Sequence, residues 1–304
     1  MRTVMGWEHL REPDLSGRLI VLTGGSDGLC REAAVQLARW GADLVLPVRS
    51  IPKGEAVRER ILRETGRPDA ARLVRLDLAS LASVREGASA IVETVGERGV
   101  DLLVHGAGTV TRRREETADG LERALAVNAV APRLLTTLLR PLVRERVVLV
   151  GSNAHKAGRI DLGDMDFART RWSIAASYGR SKLTAMLWAL DLAEELRETG
   201  VDVQIAHPGW ALTNIQRATG SDRLDSLVTA ASRPIAMPAA RGAESVLFAA
   251  TQPLPHGSYV GPDGPTASRG RPTLLRRSAA ACDVDLARRV TGWVDRRIEA
   301  TGGR

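Results

Sequence analysis

The stretch Leu19-Ile-Val-Leu-Thr-Gly-Gly-Ser-Asp-Gly28 places four apolar residues directly before a glycine-rich turn. Such a run predicts a strand buried on both faces of a sheet, and the amphipathic residues 31–40 predict a helix. Many glycine-rich turns are only tight turns. Between a strand and a helix, however, glycines let backbone N–H groups approach a pyrophosphate at the helix N-terminus. The stretch therefore predicts a dinucleotide-binding strand–turn–helix unit.

The same alternation continues along the chain. Further strands are predicted at 43–48, 72–76, 101–104, 146–150 and 201–206, and helices at 53–64, 80–95, 120–140 and 173–199. Apolar strands separated by helices are typical of a parallel sheet covered on both faces. The sequence therefore predicts an α/β protein, with one doubly wound Rossmann-type domain over 1–304.

Three segments lie outside this regular pattern. Residues 1–16 are predicted to form an N-terminal extension, residues from about 210 to 235 a substrate lid, and residues 262–304 a C-terminal extension. The Gly- and Pro-rich residues 253–271 are expected to be mostly loop.

The second strand ends in Val48-Arg49-Ser50, where an NAD-binding protein would place an acid for the ribose 2′-hydroxyl. A guanidinium there suits a 2′-phosphate through charge-assisted hydrogen bonds. In a chain so rich in arginine, Arg49 is also open to interpretation as an ordinary solvated side chain. Because the acid is missing as well, the sequence favours NADP(H) over NAD(H).

A tyrosine and a lysine stand four residues apart in Tyr178-Gly-Arg-Ser-Lys182 and follow Ser152 in the chain. On a helix they project from the same face, and an ammonium beside a phenol is expected to lower the tyrosine pKa. Such a tyrosine can exchange a proton with a carbonyl or alcohol oxygen. Ser152 is not a predicted hydrolase nucleophile, because Gly151-Ser-Asn-Ala-His155 lacks the Gly-x-Ser-x-Gly pattern.

Taken together, these motifs resemble the short-chain dehydrogenase/reductase family, in particular its retinol-dehydrogenase-like branch, over about residues 17–261. The residues that carry the resemblance are Thr23-Gly-Gly-Ser-Asp-Gly28, Val48-Arg49-Ser50, Leu76-Asp77-Leu78, Gly106-Ala107-Gly108, Asn128, Val150-Gly-Ser152, Tyr178-x-x-x-Lys182 and His207-Pro-Gly209 followed by Thr213. The branch is indicated by the spacing from Ser152 to Tyr178, with Asn153-Ala-His155 and Ile160-Asp-Leu162, and by Gly242-Ala-Glu244 with Gly257-Ser-Tyr259.

The resemblance implies roles for the residues that match its motifs. Ser152 would hydrogen-bond the reacting oxygen, Tyr178 would transfer the proton, Lys182 would bind the nicotinamide ribose, and Asn128 would support a water chain to Lys182. Asp77 and Leu78 would meet the adenine, and Pro208 and Thr213 the nicotinamide end. The full predicted cofactor set is Gly24, Ser26, Asp27, Gly28, Leu29, Arg49, Asp77, Leu78, Gly106, Ala107, Asn128, Tyr178, Lys182, Pro208 and Thr213.

Two residues depart from the family pattern. Cys30 stands at the usual third glycine, and His105 opens His105-Gly-Ala-Gly108 in place of Asn-Asn-Ala-Gly. A buried structural role is favoured for Cys30 over a redox role, and a packing role for His105 over contact with the cofactor. His155 and His207 flank site motifs without ligand partners at metal spacing, so no metal is predicted.

Composition narrows the classes of partner. The chain of 304 residues carries a formal charge of +7, yet its arginines alternate with acids, it has no basic tail, and it contains only two Phe and two Tyr. Nucleic-acid binding is therefore not expected. The two cysteines suggest no disulfide framework, and no run approaches the length of a membrane span, so a cytoplasmic location without membrane contact is expected.

The predicted function is NADP(H)-dependent reduction of a carbonyl to an alcohol, or the reverse oxidation, on a small organic substrate. A high-arginine composition is associated with genomes in which such enzymes modify secondary metabolites. The alternative is a non-redox member of the same fold: a dehydratase, an epimerase or a nucleotide-sensing binding protein. The resemblance also suggests a homodimer or homotetramer that pairs through the helices at 120–140 and 173–199.

Overall fold

A computed structural model describes residues 12–210 and 237–302. Its centre is one eight-stranded sheet in the order β3-β2-β1-β4-β5-β6-β7-β8. The strands are β1 Leu19–Thr23, β2 Asp43–Val48, β3 Ala71–Arg75, β4 Val100–His105, β5 Val143–Val150, β6 Asp202–Ala206, β7 Tyr259–Pro262 and β8 Pro272–Leu274. The pairs from β3 to β7 are parallel, and β8 runs antiparallel to β7.

Helices cover both faces of this sheet. They are α1 Gly28–Arg39, α2 Ile51–Thr65, α3 Leu81–Val95, α4 Arg123–Leu125, α5 Ala131–Leu139, α6 Ile174–Leu196, α7 Ala239–Thr251 and α8 Val284–Gly302. Every residue of β1 is buried, and two hydrophobic clusters lie against the sheet. The predicted α/β doubly wound fold is confirmed.

The strand order reverses between β1 and β4, so the loops after these strands diverge at the carboxyl edge. Ligands of open α/β sheets bind in the crevice that such a reversal creates. The glycine-rich turn after β1 and the segment after β4 both lie at this edge. The fold thus places the predicted binding motifs where a cleft is expected.

Several elements add to the sequence prediction or differ from it. Residues 253–271 are mostly loop, as predicted, but include β7, and the C-terminal extension contributes the antiparallel strand β8 and the long helix α8. The helix predicted over 120–140 begins at Arg123 and is interrupted by a π-helical turn, Ala126–Val130. β7 was missed because its four residues include Gly261 and Pro262, which predict loops. The predicted lid at about 210–235 lies, apart from Trp210, outside the described residues.

Helix α8 packs against α6, with Ala287, Val290 and Val294 buried. It is also tied to α5, since Nε and Nη2 of Arg133 each donate to one oxygen of the Asp295 carboxylate at 2.9 Å. The surface through which the sequence predicted pairing is therefore covered in part by the chain's own C-terminus. Within the described ranges, no helix is both long and apolar enough to cross a bilayer.

Candidate active site

The glycine-rich turn is held against the segment that follows β4. Gly24 has φ +76°, and a Cβ at this position would lie 2.7 Å from the backbone nitrogen of Ala107. The Thr23 hydroxyl accepts hydrogen bonds from the N–H groups of Gly106 and Ala107 at 3.2 and 3.3 Å. Only glycine therefore fits at position 24, and the turn shapes the floor of the cleft.

The N-terminus of α1 opens into this cleft. The Asp27 carboxylate accepts a hydrogen bond from the N–H of Gly28 at 2.8 Å and caps the helix. Ser26 and Asp27 are partly exposed, whereas Leu29 packs in the core beneath the turn. The first turn of α1 contains no acidic residue. Asp27 accepts from the N–H of Gly28, and the next N–H groups of the first turn, at the positive end of the helix dipole, suit a phosphate.

Cys30 faces Gly106 across the join between α1 and β4. Its sulfur lies 3.6 Å from the Gly106 carbonyl oxygen, and a Cβ on Gly106 would come within 2.3 Å of that sulfur. Burial raises the pKa of the Cys30 thiol to about 12, so the thiol stays protonated at neutral pH. These contacts support the predicted structural role of Cys30.

His105 is buried behind the cleft. Its Nε2 lies 2.7 Å from the Thr136 hydroxyl oxygen. Its ring packs edge to face against Trp188, with 6.2 Å between the ring centroids. Since the Thr136 hydroxyl donates to the Pro132 carbonyl, Nε2 of His105 must be the donor in their hydrogen bond. Burial lowers the His105 pKa to about 3, so the ring is neutral. The geometry favours the predicted packing role.

A cationic rim lies at the ends of β2 and α1. Arg49 follows β2 and is exposed, and Lys53 in the first turn of α2 lies 3.3 Å from the Asp27 carboxylate. Sequence reasoning missed Lys53, although its position four residues after Arg49 and the scarcity of lysine were visible signals. Asp77 and Leu78 follow β3, where Asp77 accepts a hydrogen bond from the N–H of Ala79 at 3.0 Å and Leu78 is buried.

The predicted catalytic residues come together at the carboxyl edge of β5. Ser152 follows β5, and its hydroxyl hydrogen-bonds that of Tyr178, which α6 supplies. The Nζ of Lys182 lies 5.9 Å from the centroid of the Tyr178 ring and donates to the Val150 carbonyl at 2.8 Å. The structure therefore groups Ser152, Tyr178 and Lys182 as the motif predicts.

Asn128 reaches the same place from the π-helical turn. Its side-chain amide donates to the Thr109 carbonyl and the Ser181 hydroxyl, each at 2.9 Å, and its oxygen accepts from the Thr109 N–H at 2.7 Å. A Cβ on Gly108 would lie 3.3 Å from the Asn128 oxygen and 3.5 Å from Lys182 Nζ. Glycine at 108 therefore leaves open space between these two polar groups.

The pKa of Tyr178 differs from the sequence expectation. Burial raises the pKa of this phenol, and the hydrogen bond from Ser152 only partly opposes the effect. Burial also lowers the Lys182 pKa to about 8. The prediction that Lys182 lowers the Tyr178 pKa is wrong for this structure, since burial determines the direction of the shift, and the ammonium is hydrogen-bonded to the Val150 carbonyl, 5.9 Å from the centroid of the phenol ring.

Two buried charged residues that the sequence reasoning missed anchor the start of α6. Glu122 accepts hydrogen bonds from the Ser177 hydroxyl at 3.0 Å and the Trp172 indole at 3.3 Å. Arg180 donates to the Arg159 carbonyl at 3.0 Å and stacks on Phe167. Arg180 lies inside the Tyr-x-x-x-Lys motif, but its long-range partners have no sequence signal.

The remaining predicted residues follow β6 or lie beyond it. His207 is buried, and its Nε2 lies 3.0 Å from the Ala267 carbonyl; Pro208 is partly exposed, and Trp210 is 54% exposed. Thr213 lies outside the described residues. In the part of the chain that the structure describes, no cluster of His, Cys, Asp and Glu could hold a metal ion.

This geometry agrees with the comparison to known proteins. The family model described as "short chain dehydrogenase" matches residues 18–224. The chain belongs to the short-chain dehydrogenase/reductase family. Its curated relatives place it in the retinol-dehydrogenase-like branch: it is 36% identical over 210 residues to human retinol dehydrogenase 13, a match that spans 68% of this chain and 62% of that protein.

A second relative aligns over almost the whole chain. It is the "Putative daunorubicin C-13 ketoreductase DnrU" of Streptomyces sp. (strain C5), 34% identical over 90% of this chain and 95% of its own length. Among solved structures, an uncharacterised protein of Mycobacterium paratuberculosis shares 30% identity over 98% of both chains with a TM-score of 0.78. A Burkholderia cenocepacia short chain dehydrogenase in complex with NADP shares 26% identity, with a TM-score of 0.62, over 81% of this chain and 96% of its own.

The cleft of this family member fits the dinucleotide that the motifs imply. Gly24 lets the glycine-rich turn lie directly against Ala107 at the floor of the cleft, and Gly108 keeps the space between Asn128 and Lys182 free of a side chain. The capped N-terminus of α1 supplies a phosphate site, Arg49 and Lys53 supply cations at one rim, and Lys182 supplies a donor at the other. These donors suit the phosphates and ribose of a nicotinamide dinucleotide.

Proposed function

We propose that this chain reduces a carbonyl group to an alcohol with NADPH, or catalyses the reverse oxidation. The observation that carries the proposal is the convergence of Ser152, Tyr178, Lys182 and Asn128 at the carboxyl edge of β5, beside the cleft of the glycine-rich turn. A protein that only senses a nucleotide does not need a phenol hydrogen-bonded to a serine beside a buried lysine.

In the proposed mechanism, a nicotinamide cofactor held in the cleft by Lys182 and the glycine-rich turn would supply the hydride that the carbonyl carbon accepts. Ser152 donates a hydrogen bond to the carbonyl oxygen and fixes its position. Tyr178 donates its phenolic proton to that oxygen, and its raised pKa keeps the proton available at neutral pH. Lys182 holds the ribose, and Asn128, locked between Thr109 and Ser181, keeps the neighbouring loop in place.

NADP(H) is proposed over NAD(H) because Arg49 stands where an acid would bind the 2′-hydroxyl. The exposed guanidinium and the nearby Lys53 make this rim attractive to a 2′-phosphate. The NADP bound to the Burkholderia relative is consistent with the proposal.

Replacing Arg49 with Ala tests this preference. The ratio of NADH to NADPH dissociation constants is expected to fall by roughly 10- to 100-fold, the scale of one charge-assisted contact. Arg63→Ala is the matched control, since Arg63 is an exposed arginine on α2. Titration of cofactor fluorescence measures both constants, and equal affinity for the two cofactors in the unmodified protein would refute the preference.

For the substrate, we propose a ketone on a small organic molecule of secondary metabolism. Support comes from the near full-length match to the Streptomyces protein named "Putative daunorubicin C-13 ketoreductase DnrU". A panel of ketones and aldehydes, including polycyclic ketones and retinal, is incubated with NADPH while cofactor absorbance is followed. Oxidation of NADPH with formation of the alcohol supports the proposal. Transformation of a substrate without any change in the cofactor would instead identify a dehydratase or an epimerase.

The proposal includes a small-molecule partner only, with no nucleic acid or membrane. The cytoplasmic location expected from the two unpaired cysteines is part of the same proposal. Fractionation of cells that express the full chain tests the location.

A further inference from the structure

His155 lies three residues after Ser152, in the 3-10 turn Asn153–Ala157, and only 1% of it is exposed. Its Nδ1 lies 2.7 Å from the carbonyl oxygen of Ser152. Its Nε2 lies 3.3 Å from the backbone nitrogen of Ser278, in the C-terminal extension. The ring therefore bridges the backbone of Ser152 to a segment 123 positions away in the chain.

The two contacts determine where the proton of the ring resides. A backbone N–H can only donate, so Nε2 must accept from Ser278. Nδ1 then carries the proton and donates it to the Ser152 carbonyl. Burial lowers the pKa of His155, and the charges of Lys156 and Arg277 act in the same direction, so the ring is neutral as this bridge requires.

The ring cannot readily turn away from this position. The His155 and Tyr259 rings meet edge to face, with their centroids 5.6 Å apart and their planes at 88°. The Tyr259 ring in turn stacks on the His207 ring, with 6.3 Å between the centroids. A Cβ on Gly151 would lie 3.7 Å from the Tyr259 ring, so this ring also supports the backbone beside Ser152. Elements β5, β6 and β7 and the C-terminal extension thus hold one histidine in one orientation.

We propose that His155 is a positioning residue for Ser152, held in one tautomer and one orientation between the Ser152 carbonyl and the backbone N–H of Ser278. This inference rests on the proposed reductase function. By fixing the Ser152 carbonyl, the imidazole fixes the backbone from which the Ser152 hydroxyl points, and the same hydroxyl accepts from the Ala154 N–H at 3.2 Å. The C-terminal extension thereby becomes part of the catalytic scaffold without contacting substrate.

A pair of substitutions at position 278 isolates the backbone contact. Ser278 has φ −65°, the value that proline imposes, so Ser278→Pro removes the N–H without straining that residue. Ser278→Ala is the matched control: like the proline it loses the side-chain hydroxyl that caps Ala281, but it retains the N–H. We expect kcat to fall roughly 10- to 100-fold for the proline variant, as a misplaced reacting group does, and to stay near normal for the alanine variant.

Substitution of His155 itself separates its two contacts. Asn can place an amide N–H near the position of Nδ1, whereas Phe removes both polar contacts and keeps the ring. We expect His155→Phe to lose kcat with an unchanged NADPH dissociation constant, and His155→Asn to recover part of it. His256→Asn is the control for loss of a bridging histidine, because His256 joins Asp202 and Ala193 at the other end of β6.

Nitrogen-15 NMR of the histidine rings tests the bridge without any activity assay. The unmodified protein and Ser278→Ala are expected to show His155 protonated at Nδ1 with a hydrogen-bonded Nε2. Ser278→Pro is expected to keep the proton on Nδ1, where the Ser152 carbonyl still accepts it, and to shift the Nε2 resonance to that of a nitrogen without this hydrogen bond. A dominant Nε2 tautomer in the unmodified protein would overturn the proposal, as would equal kcat values for the two Ser278 variants. If the unmodified protein reduces no carbonyl, the reductase function fails, and the positioning role fails with it even where the tautomer is as expected.

Discussion

Tyr178 is partly buried and shares a hydrogen bond with Ser152, so Tyr178→Phe removes one oxygen and keeps the ring. We expect turnover to fall by roughly 10²–10⁴, the usual contribution of a positioned acid. NADPH should still bind, because Lys182, Arg49 and the glycine-rich turn are unchanged. Steady-state kinetics and cofactor titration measure the two quantities separately.

Ser152→Ala serves as a second variant of the same site, with an expected loss of about 10²–10³. Near-normal reduction by Tyr178→Phe would mean that another group supplies the proton. His105 and His155 are poor substitutes, because burial lowers the pKa of each and both rings are neutral and already hydrogen-bonded.

Lys182 gives a prediction about pH and stability. Burial lowers its pKa from 10.5 to about 8, so between these values the unfolded chain binds more protons and stability rises with pH. Below about pH 8 Lys182 is charged in the folded protein, and burial of this charge lowers the free energy of unfolding by its full amount. Lys182→Met should therefore be inactive yet more stable than the unmodified protein at pH 7, by roughly 1–3 kcal/mol after the lost bond to Val150 is subtracted.

Urea unfolding at several pH values measures the difference in free energy of unfolding between Lys182→Met and the unmodified protein. It should narrow as pH rises from about 8 to 10.5, because the lysine of the folded protein is neutral there. A less stable Lys182→Met at pH 7 would show that the hydrogen bond to Val150 outweighs the cost of the charge.

Tyr178 and Lys182 could be predicted from the sequence because their chemistry needs fixed residue types at a fixed helical spacing, and Ser152 because it matches a family motif at the end of a predicted strand. The direction of the Tyr178 pKa shift could not be predicted, because it depends on burial of the phenol and on the position of the Lys182 ammonium. The bridge from His155 to Ser278 was equally hidden, since its second partner is a backbone N–H that any residue but proline provides.

Between elements, the approach of α6 to the turn after Ser152 depends on two glycines. A Cβ on Gly158 would lie 2.4 Å from the Gly179 carbonyl oxygen, and a Cβ on Gly179 would lie 3.0 Å from that of Ala154. Because backbone atoms cannot move aside as side chains do, Gly158→Ala should push α6 and Tyr178 away from Ser152. We expect a loss of roughly 1–3 kcal/mol in stability, together with a loss of turnover.

Gly292→Ala in α8 is the control for this prediction. A Cβ there would meet only the flexible end of Arg296 at 3.4 Å, so the change should stabilise the helix by about 0.5–1 kcal/mol. Thermal unfolding of both variants gives the comparison. Equal stability of Gly158→Ala and the unmodified protein would show that the close approach of α6 is not required.

The parallel strands and most helices could be predicted from the sequence because their apolar periodicity is strong. The π-helical turn around Asn128 could not be predicted, because the residues Ala126-Val-Asn-Ala-Val130 suit an ordinary α-helix. The extra residue in this turn arises from tertiary contacts. Those contacts are the bonds of Asn128 to Thr109 and Ser181.

Across the whole molecule, the C-terminal extension links regions that are distant in sequence. It adds β8 to the sheet edge, passes His155 at Ser278, and continues as α8 along α6, which carries Tyr178 and Lys182. Arg297 then donates to the Gly120 carbonyl at 2.6 Å. The sequence predicted this region only as an extension, because the apolar residues of α8 pack on helices, mainly α6, that were already expected to cover the sheet.

The position of α8 leads to a prediction about assembly. Because α8 occupies part of the surface through which the sequence predicted pairing, we expect light scattering to show a 32.7 kDa monomer at micromolar concentration. A chain that ends at Asp283 should instead associate or unfold, since the contacts of Val290 and Val294 are lost and apolar surface on α6 is exposed. The decisive control is Leu138→Glu, on the exposed part of α5. A full-length dimer that this substitution dissociates would restore the pairing predicted from sequence and contradict the role of α8 as its cover.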